Sequence, residues 1–213
     1  MLLNVLAYAD DLVLLAPSWR ALQQLLDILQ KHINTIDLTC NVKKSVCMIF
    51  RPRHSSEVVS SCFPCFRLGC KILQFVTEFK YLGHVINNSL TDDDDVRREI
   101  CNMFVRTNIL LRRFVKCIRD VKVIFFKTSC ICLYNVALWS RYNLRSMNKL
   151  MACYNKCVIM FFGYKRRDRV TEMLFNLRLP SFLTILHNSL ITLNRCWFNC
   201  YNELVIHLGA ILK

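Results

Sequence analysis

The chain has 213 residues, 54% of them apolar, with 29 Lys+Arg against 15 Asp+Glu, a net charge of +14, 13 Cys, 4 Gly and 4 Pro. The apolar fraction excludes intrinsic disorder, and the scarcity of Gly and Pro excludes collagenous and low-complexity classes. Residues 1–95 hold 9 Lys+Arg against 10 Asp+Glu and residues 96–213 hold 20 against 5, so the basic excess lies wholly in the second part and points to a polyanion, nucleic acid first, with a merely solvated helical face as the plainer alternative.

Leu2–Tyr8 and Leu12–Ala16 are short apolar runs suited to strands, and only Ala9-Asp10-Asp11 lies between them, which predicts a β-hairpin. Pro17 ends the second strand and Ser18 is a good N-cap. Leu22, Leu25, Leu26, Leu29 and Ile33 then keep helical spacing, which predicts an amphipathic helix over about 19–34. Val46–Phe50, Lys71–Val76 and Phe79–Ile86 read as strands, the last containing Gly83. Residues 51–70, with Pro52, Pro64, Gly69 and several Ser, read as irregular or hairpin-like.

A boundary falls at Asn87–Asp95, where Thr91 or Asp92 caps a long helix and the acids of its first turn complement the helix dipole. On a wheel of residues 93–119, Ile100, Met103, Phe104, Thr107, Leu111, Phe114, Val115 and Ile118 take one side. Arg97, Arg98, Arg106, Arg112, Arg113, Lys116 and Arg119 take the other. Further helices are predicted over about 122–139, 146–162, 168–177 and 181–207. The run from Val123 to Trp139 is short and interrupted by Lys127, so it reads as a buried helix and no membrane partner is expected.

The N-terminal MLLNVLAYADD has no basic stretch and predicts no secretory signal, hence a reducing compartment, nuclear or cytoplasmic, and free thiols. Cys62 and Cys65 with Cys70 have part of a zinc spacing but no matching second pair, so ordinary thiols are expected. Cys153/Cys157 and Cys196/Cys200 are i,i+4 pairs and read as small core residues on shared helix faces. The five His show no shared spacing and read as surface or satisfied core residues. Trp19, Trp139 and Trp197 read as core. Lys165-Arg166-Arg167-Asp168-Arg169 reads either as a nucleic-acid or nuclear-localisation patch or as a solvated loop.

Tyr8-Ala9-Asp10-Asp11 carries the sharpest chemistry. Carboxylates inside an apolar run are costly to bury, and a hairpin turn places them at the tip of the sheet. Hard divalent ions take carboxylate oxygens, and nucleotidyl transfer uses two Mg²⁺ ions held roughly 3.5–4 Å apart. Tyr8 to Ala16 resembles the Tyr-x-Asp-Asp catalytic hairpin of reverse transcriptases, those of non-LTR, LINE-type retrotransposons above all. The helix over 19–34 and Leu38–Met48, with Asn41 and Lys44, resemble the family's following helix-to-strand element, although Asp37 stands where the family has Gly. Phe79–Ile86 resembles the primer-grip hairpin, and the helix around Arg98 resembles the opening of the thumb. Leu133–Trp139 and Arg166–Val170 resemble weaker patterns beyond it.

This resemblance implies an α+β fold, a partial polymerase palm over 1–90 followed by a basic helical thumb and post-thumb region over 91–213. It implies that Asp10 ligates Mg²⁺ or Mn²⁺ with Asp11 assisting, and that Lys44 lies near the phosphates of the incoming nucleotide. Tyr8 would contact nucleic acid, Lys80, Tyr81 and Gly83 would position the end of the primer strand, and Arg98, Arg106, Arg112, Arg113 and Lys116 would track the backbone of an RNA template–DNA primer duplex. The family's second metal-ligating Asp, its fingers and its nucleotide-selecting helix all lie upstream of this hairpin. The chain begins seven residues before Tyr8, so the expectation is an inactive fragment that holds metal weakly, with the missing N-terminal polymerase half as a partner if that half is expressed separately. A palm without those strands should leave the hairpin's apolar edge and face exposed. The alternatives are a non-enzymatic RNA or DNA binder and a decayed reading frame.

Overall fold

The computed structural model describes residues 4–50, 63–131, 133 and 136–211. Strands gather in the first part and helices in the second, as an α+β reading requires. The chain divides into two units, Met1–Phe79 with Asn87–Ser89, and Lys80–Ile86 with Leu90–Lys213. The expected domain border at residue 90 is therefore interleaved, since the tip of one hairpin belongs with the helices.

In the first unit, strands β1 (Val5–Tyr8) and β2 (Asp11–Leu14) pair antiparallel, from Val5 opposite Leu14 to Tyr8 opposite Asp11. Helix α1 (Trp19–Thr35) follows, its start capped by the Ser18 hydroxyl, which accepts from the Ala21 N–H at 3.3 Å. Its apolar spacing buries Leu26 and Ile33. The predicted strand over Val46–Phe50 shortens to β3 (Val46–Cys47). The predicted strand over Lys71–Val76 splits, because Leu73 turns inward, nearly fully buried, and donates its N–H to the Phe66 carbonyl at 2.9 Å. The result is β4 (Arg67–Leu68) antiparallel to β5 (Lys71–Ile72), and β6 (Gln74–Phe75) parallel to β3. The Gln23 side chain of α1 donates to the Arg67 carbonyl at 2.9 Å and accepts from the Arg67 N–H at 3.0 Å, so an amide stands in for a neighbouring strand on β4.

These strands form separate two-stranded sheets rather than one palm sheet. The core here is small: Leu26, Cys47, Phe66, Leu68 and Leu73, with Leu14, Leu22, Cys40 and Val42 packed against it. Val5, Leu12 and Leu15 on the hairpin are exposed, as a hairpin without neighbouring strands must leave them. Leu2 and Leu3 of the predicted first strand, and Cys62 with most of the 51–70 segment, lie outside the described residues.

Strands β7 (Glu78–Tyr81) and β8 (His84–Asn87) form a hairpin where composition alone suggested one strand. Leu82 (φ 46°) and Gly83 (φ 85°) make its two-residue turn. Positive φ at both central positions is the turn type whose twist suits a hairpin, and Gly83 supplies one of the two without strain.

The second unit holds α2 (Asp93–Phe114), α3 (Arg119–Ser129), a 3-10 turn (Val136–Leu138), α4 (Leu144–Phe162), α5 (Val170–Asn176), α6 (Phe182–Phe198) and α7 (Glu203–Ile211). The long helix expected to 119 stops five residues early, because Ile118 is extended (ψ 157°) and starts α3. The helix expected over 122–139 ends at Ser129, where the Thr128 hydroxyl binds the Ile124 and Phe125 carbonyls and favours a bend. The helix expected over 181–207 divides at Asn199–Asn202, so Cys196 and Cys200 do not share a helix. Cys153 and Cys157 do, on the buried face of α4.

Helix α2 packs chiefly on α4. Phe126, Tyr154, Phe161 and Phe182 fill the core, and the Tyr154 hydroxyl donates to the Pro180 carbonyl at 2.7 Å, so its one polar atom is satisfied. Among the described residues, no disulfide forms and no helix is long and apolar enough to cross a membrane.

Candidate nucleic-acid interface and catalytic hairpin

The Tyr8-Ala9-Asp10-Asp11 segment folds as a hairpin tip. Tyr8 and Asp11 are the last cross-strand pair, and Ala9-Asp10 is the two-residue turn between them. Ala9 has φ 49°, and Asp10 is not among the residues of positive φ, so the turn needs a left-handed residue at its first central position only. Glycine is the easy occupant there; an L-residue costs roughly 1–2 kcal/mol. A strained backbone thus sits directly beside the two carboxylates.

Cross-strand partners share a face, so Tyr8 and Asp11 lie on one side of the hairpin with Leu6 and Val13, while Asp10 occupies the bend. All three site residues are exposed. Oxygen donors of this kind fit Mg²⁺ or Mn²⁺ by type, but two carboxylates are too few for a tight pair of ions. Among the described residues, no group of three or more His, Cys, Asp or Glu side chains is placed to hold a metal ion.

Lys44 is exposed in a turn built on Asn41, whose carbonyl accepts from the Lys44 N–H (3.0 Å), the Ser45 N–H (3.1 Å) and the Ser45 hydroxyl (3.0 Å). Asn41 and Lys44 are therefore two parts of one turn leading into β3. Lys80, Tyr81 and Gly83 lie on the β7–β8 hairpin, which brings them together, with Lys80 exposed and Tyr81 half-buried. Trp19, expected in the core, is instead exposed at the start of α1 with the Arg20 guanidinium 5.4 Å from its ring.

The basic face of α2 is shorter than the wheel suggests. Arg98 donates from Nε to Asp95 Oδ1 at 2.7 Å, and its Nη1 lies 3.4 Å from Glu99 Oε2. Arg106 Nη2 lies 2.8 Å from Glu99 Oε1. Glu99 is buried, so these two guanidiniums answer buried acids on their own helix. Arg112, Arg113 and Lys116, at the far end of the helix and just beyond it, are exposed, and among the described residues no ion pair engages them.

The residues that sequence reasoning missed surround Asp95, which has no exposed surface. Its Oδ1 accepts from the Val85 N–H (2.9 Å) and Arg98 Nε, and its Oδ2 accepts from Trp139 Nε1 (2.8 Å). The His84 ring lies between two acids, with Nδ1 3.1 Å from Asp95 Oδ2, off the line of a well-formed hydrogen bond, and Nε2 3.5 Å from Asp92 Oδ1. Burial alone would raise the Asp95 pKa, but His84, Arg98, the Val85 N–H and Trp139 together hold it well below the ordinary carboxylate range. The Asp95 contact, then the charges of Asp95 and Asp92, raise the His84 pKa against the opposing effect of burial.

Asp92 does not cap α2 with its side chain. Its Oδ2 accepts from the Ser140 (2.8 Å) and Arg141 (2.7 Å) N–H groups, and Asp93 Oδ1 accepts from the Asn143 N–H (2.9 Å). The acidic run thus ties the start of α2 to the segment between the 3-10 turn and α4. Four acids in a row with a His eight residues ahead of the first were the only sequence signal for it. No protein-family model, curated protein or solved structure matches the chain.

Proposed function

We propose that this chain carries the catalytic-hairpin side of an RNA-directed DNA polymerase of the non-LTR retrotransposon type, and that the 213-residue chain holds a primer–template duplex without extending it. The observation that carries the reading is the β1–β2 hairpin, turned on Ala9-Asp10 with Asp11 opposite Tyr8 and followed at once by the capped helix α1. The turn on Asn41 with Lys44 and the Leu82-Gly83 hairpin follow in the order that the resemblance implies. When bound, Mg²⁺ would activate the primer hydroxyl and neutralise the leaving phosphate. Asp10 and Asp11 offer carboxylates to that ion, and a complete site requires oxygen ligands from elsewhere.

The test is to map the 5′ end of the transcript and read its frame upstream of Met1. A frame encoding an Asp-bearing strand and a fingers region agrees with the proposal, and the longer chain should then extend a primer with Mg²⁺ and lose extension with Asp10→Asn. Extension indifferent to both Asp10→Asn and Asp11→Asn overturns it. The second reading, a nucleic-acid binder without catalysis, is favoured by the exposed Arg112, Arg113 and Lys116 in the strongly basic second part. It predicts salt-sensitive binding and no extension from any frame.

A further inference from the structure

Two basic segments that are far apart in sequence meet in the helical unit. The first is the α2–α3 junction, where residues 112–122 carry five Lys or Arg against the single acid Asp120. The second is the loop after α4, where residues 165–169 carry four against Asp168. Arg119 at the start of α3 donates from Nη2 to the Tyr164 hydroxyl at 2.7 Å, 45 residues away, and joins the two. One turn further along α3, Lys122 lies with its ammonium 5.7 Å from the centre of the Phe161 ring. The aromatic residues at the end of α4 thus fix the junction against the loop.

The loop is shaped by its own bonds. Gly163 ends α4 in the left-handed conformation (φ 75°), and the N–H groups of Gly163 (3.0 Å) and Tyr164 (3.1 Å) both return to the Ile159 carbonyl. Asp168 is turned to the backbone, its Oδ2 accepting from the Lys165 N–H at 2.7 Å. Arg166, Arg167 and Arg169 are left exposed on an ordered turn, and among the described residues no ion pair engages them.

We infer that the α2–α3 junction and the 164–169 loop form one composite cationic surface, joined by the Arg119–Tyr164 hydrogen bond, which binds the phosphate backbone of a nucleic-acid duplex. The inference rests on the nucleic-acid part of the proposed function and moves the contact away from Arg98 and Arg106, whose guanidiniums answer buried acids. Charge complementarity selects the occupant. Exposed guanidiniums and ammoniums on two hydrogen-bonded segments suit regularly spaced phosphates, and such contacts give affinity without reading sequence.

The test uses the full chain and a labelled RNA–DNA hybrid duplex, with affinity followed by fluorescence anisotropy over a range of salt. Each neutralised phosphate contributes about 0.9 to the slope of log affinity against log salt on duplex DNA. The triple change Arg166→Ala, Arg167→Ala, Arg169→Ala should flatten that slope by roughly 2–3 and weaken binding at low salt by at least an order of magnitude. Arg112→Ala with Arg113→Ala and Lys116→Ala should do the same. Tyr164→Phe, which removes the bond but no charge, should weaken binding while leaving the slope nearly unchanged.

A loop variant that binds like the parent overturns the composite surface, and if the helix variant still weakens, the wider reading of a nucleic-acid binder survives. Loss in the loop variant with none in the helix variant overturns it as well. Binding to phosphatidylcholine vesicles containing phosphatidylserine, with none to the duplex, overturns it in favour of a lipid surface. Far-ultraviolet circular dichroism and the melting transition of each variant separate lost contacts from lost fold. Because Asp10 and Asp11 are untouched, failure here leaves the catalytic-hairpin reading to its own test.

Discussion

The two units solve the same problem with unequal means. Among the described residues, the first has five buried apolar side chains in its core and the second has twenty. The first leans on strands of two to four residues and one helix; the second stacks aromatic rings such as Phe126 and Phe161, whose centroids are 6.1 Å apart. The difference lies in where polar groups find partners. In the first unit many backbone groups belong to strands with no second neighbour. In the second, a buried acid gathers an imidazole, a guanidinium, an indole and a backbone amide about one point. A sheet fragment needs strands from elsewhere to bury its second face and edge, whereas a helical bundle satisfies its own backbone.

The sharpest way to break that contrast is to remove the acid. Asp95→Ala leaves Arg98, Trp139 and the Val85 N–H without their partner, and should destabilise the helical unit by about 3–5 kcal/mol. Urea unfolding followed by circular dichroism checks it; an unchanged midpoint would show that the cluster is incidental. Next in size, Leu73→Ala in the small core should cost about 2–4 kcal/mol. That loss should open the first unit to limited proteolysis while the helices stay protected.

A smaller effect comes from pH. The His84 pKa is raised in the folded state, so its contribution is full below the unfolded value of about 6.5 and is lost as pH rises through the folded value. Asp95 has a depressed pKa, so its contribution is present above about 3.9 and is lost as pH falls. The helical unit should therefore be most stable in mildly acidic solution, and His84→Phe should remove the alkaline limb of that profile. The smallest change sharpens the comparison at the hairpins. Ala9→Gly should relieve the left-handed turn and stabilise the first unit by about 0.5–1 kcal/mol, readable as slower amide exchange in β1 and β2.

What the sequence made legible was local. Ser18 and the Leu22–Ile33 spacing set α1 to within a residue of its observed end, and Tyr8-Ala9-Asp10-Asp11 made its hairpin because the turn and both strands lie within ten residues. What it hid was long-range. Asp92, Asp93 and Asp95 read as a favourable helix start, yet their partners lie 44–50 residues further on. No periodicity reports such a bond. The same holds for Arg98 and Arg106, which a wheel places on a solvent face but which turn to buried Asp95 and Glu99. Strand 71–76 broke where Leu73 entered a core that a pattern of alternation does not locate.

The tie between the start of α2 and the segment before α4 also sets an order of events during synthesis. Asp92 meets the Ser140 N–H 48 residues later. At about 5–20 residues per second, a ribosome needs roughly 2 to 10 s to make that stretch. For that interval the head of the nascent α2 lacks the backbone amides that Asp92 and Asp93 bind, and the apolar side chains along its flank lack α4. Trp139 then answers Asp95, but the apolar flank of α2 stays open until α4 (Leu144–Phe162) has emerged to pack on it, and exposed flanks of this kind are what chaperones shield.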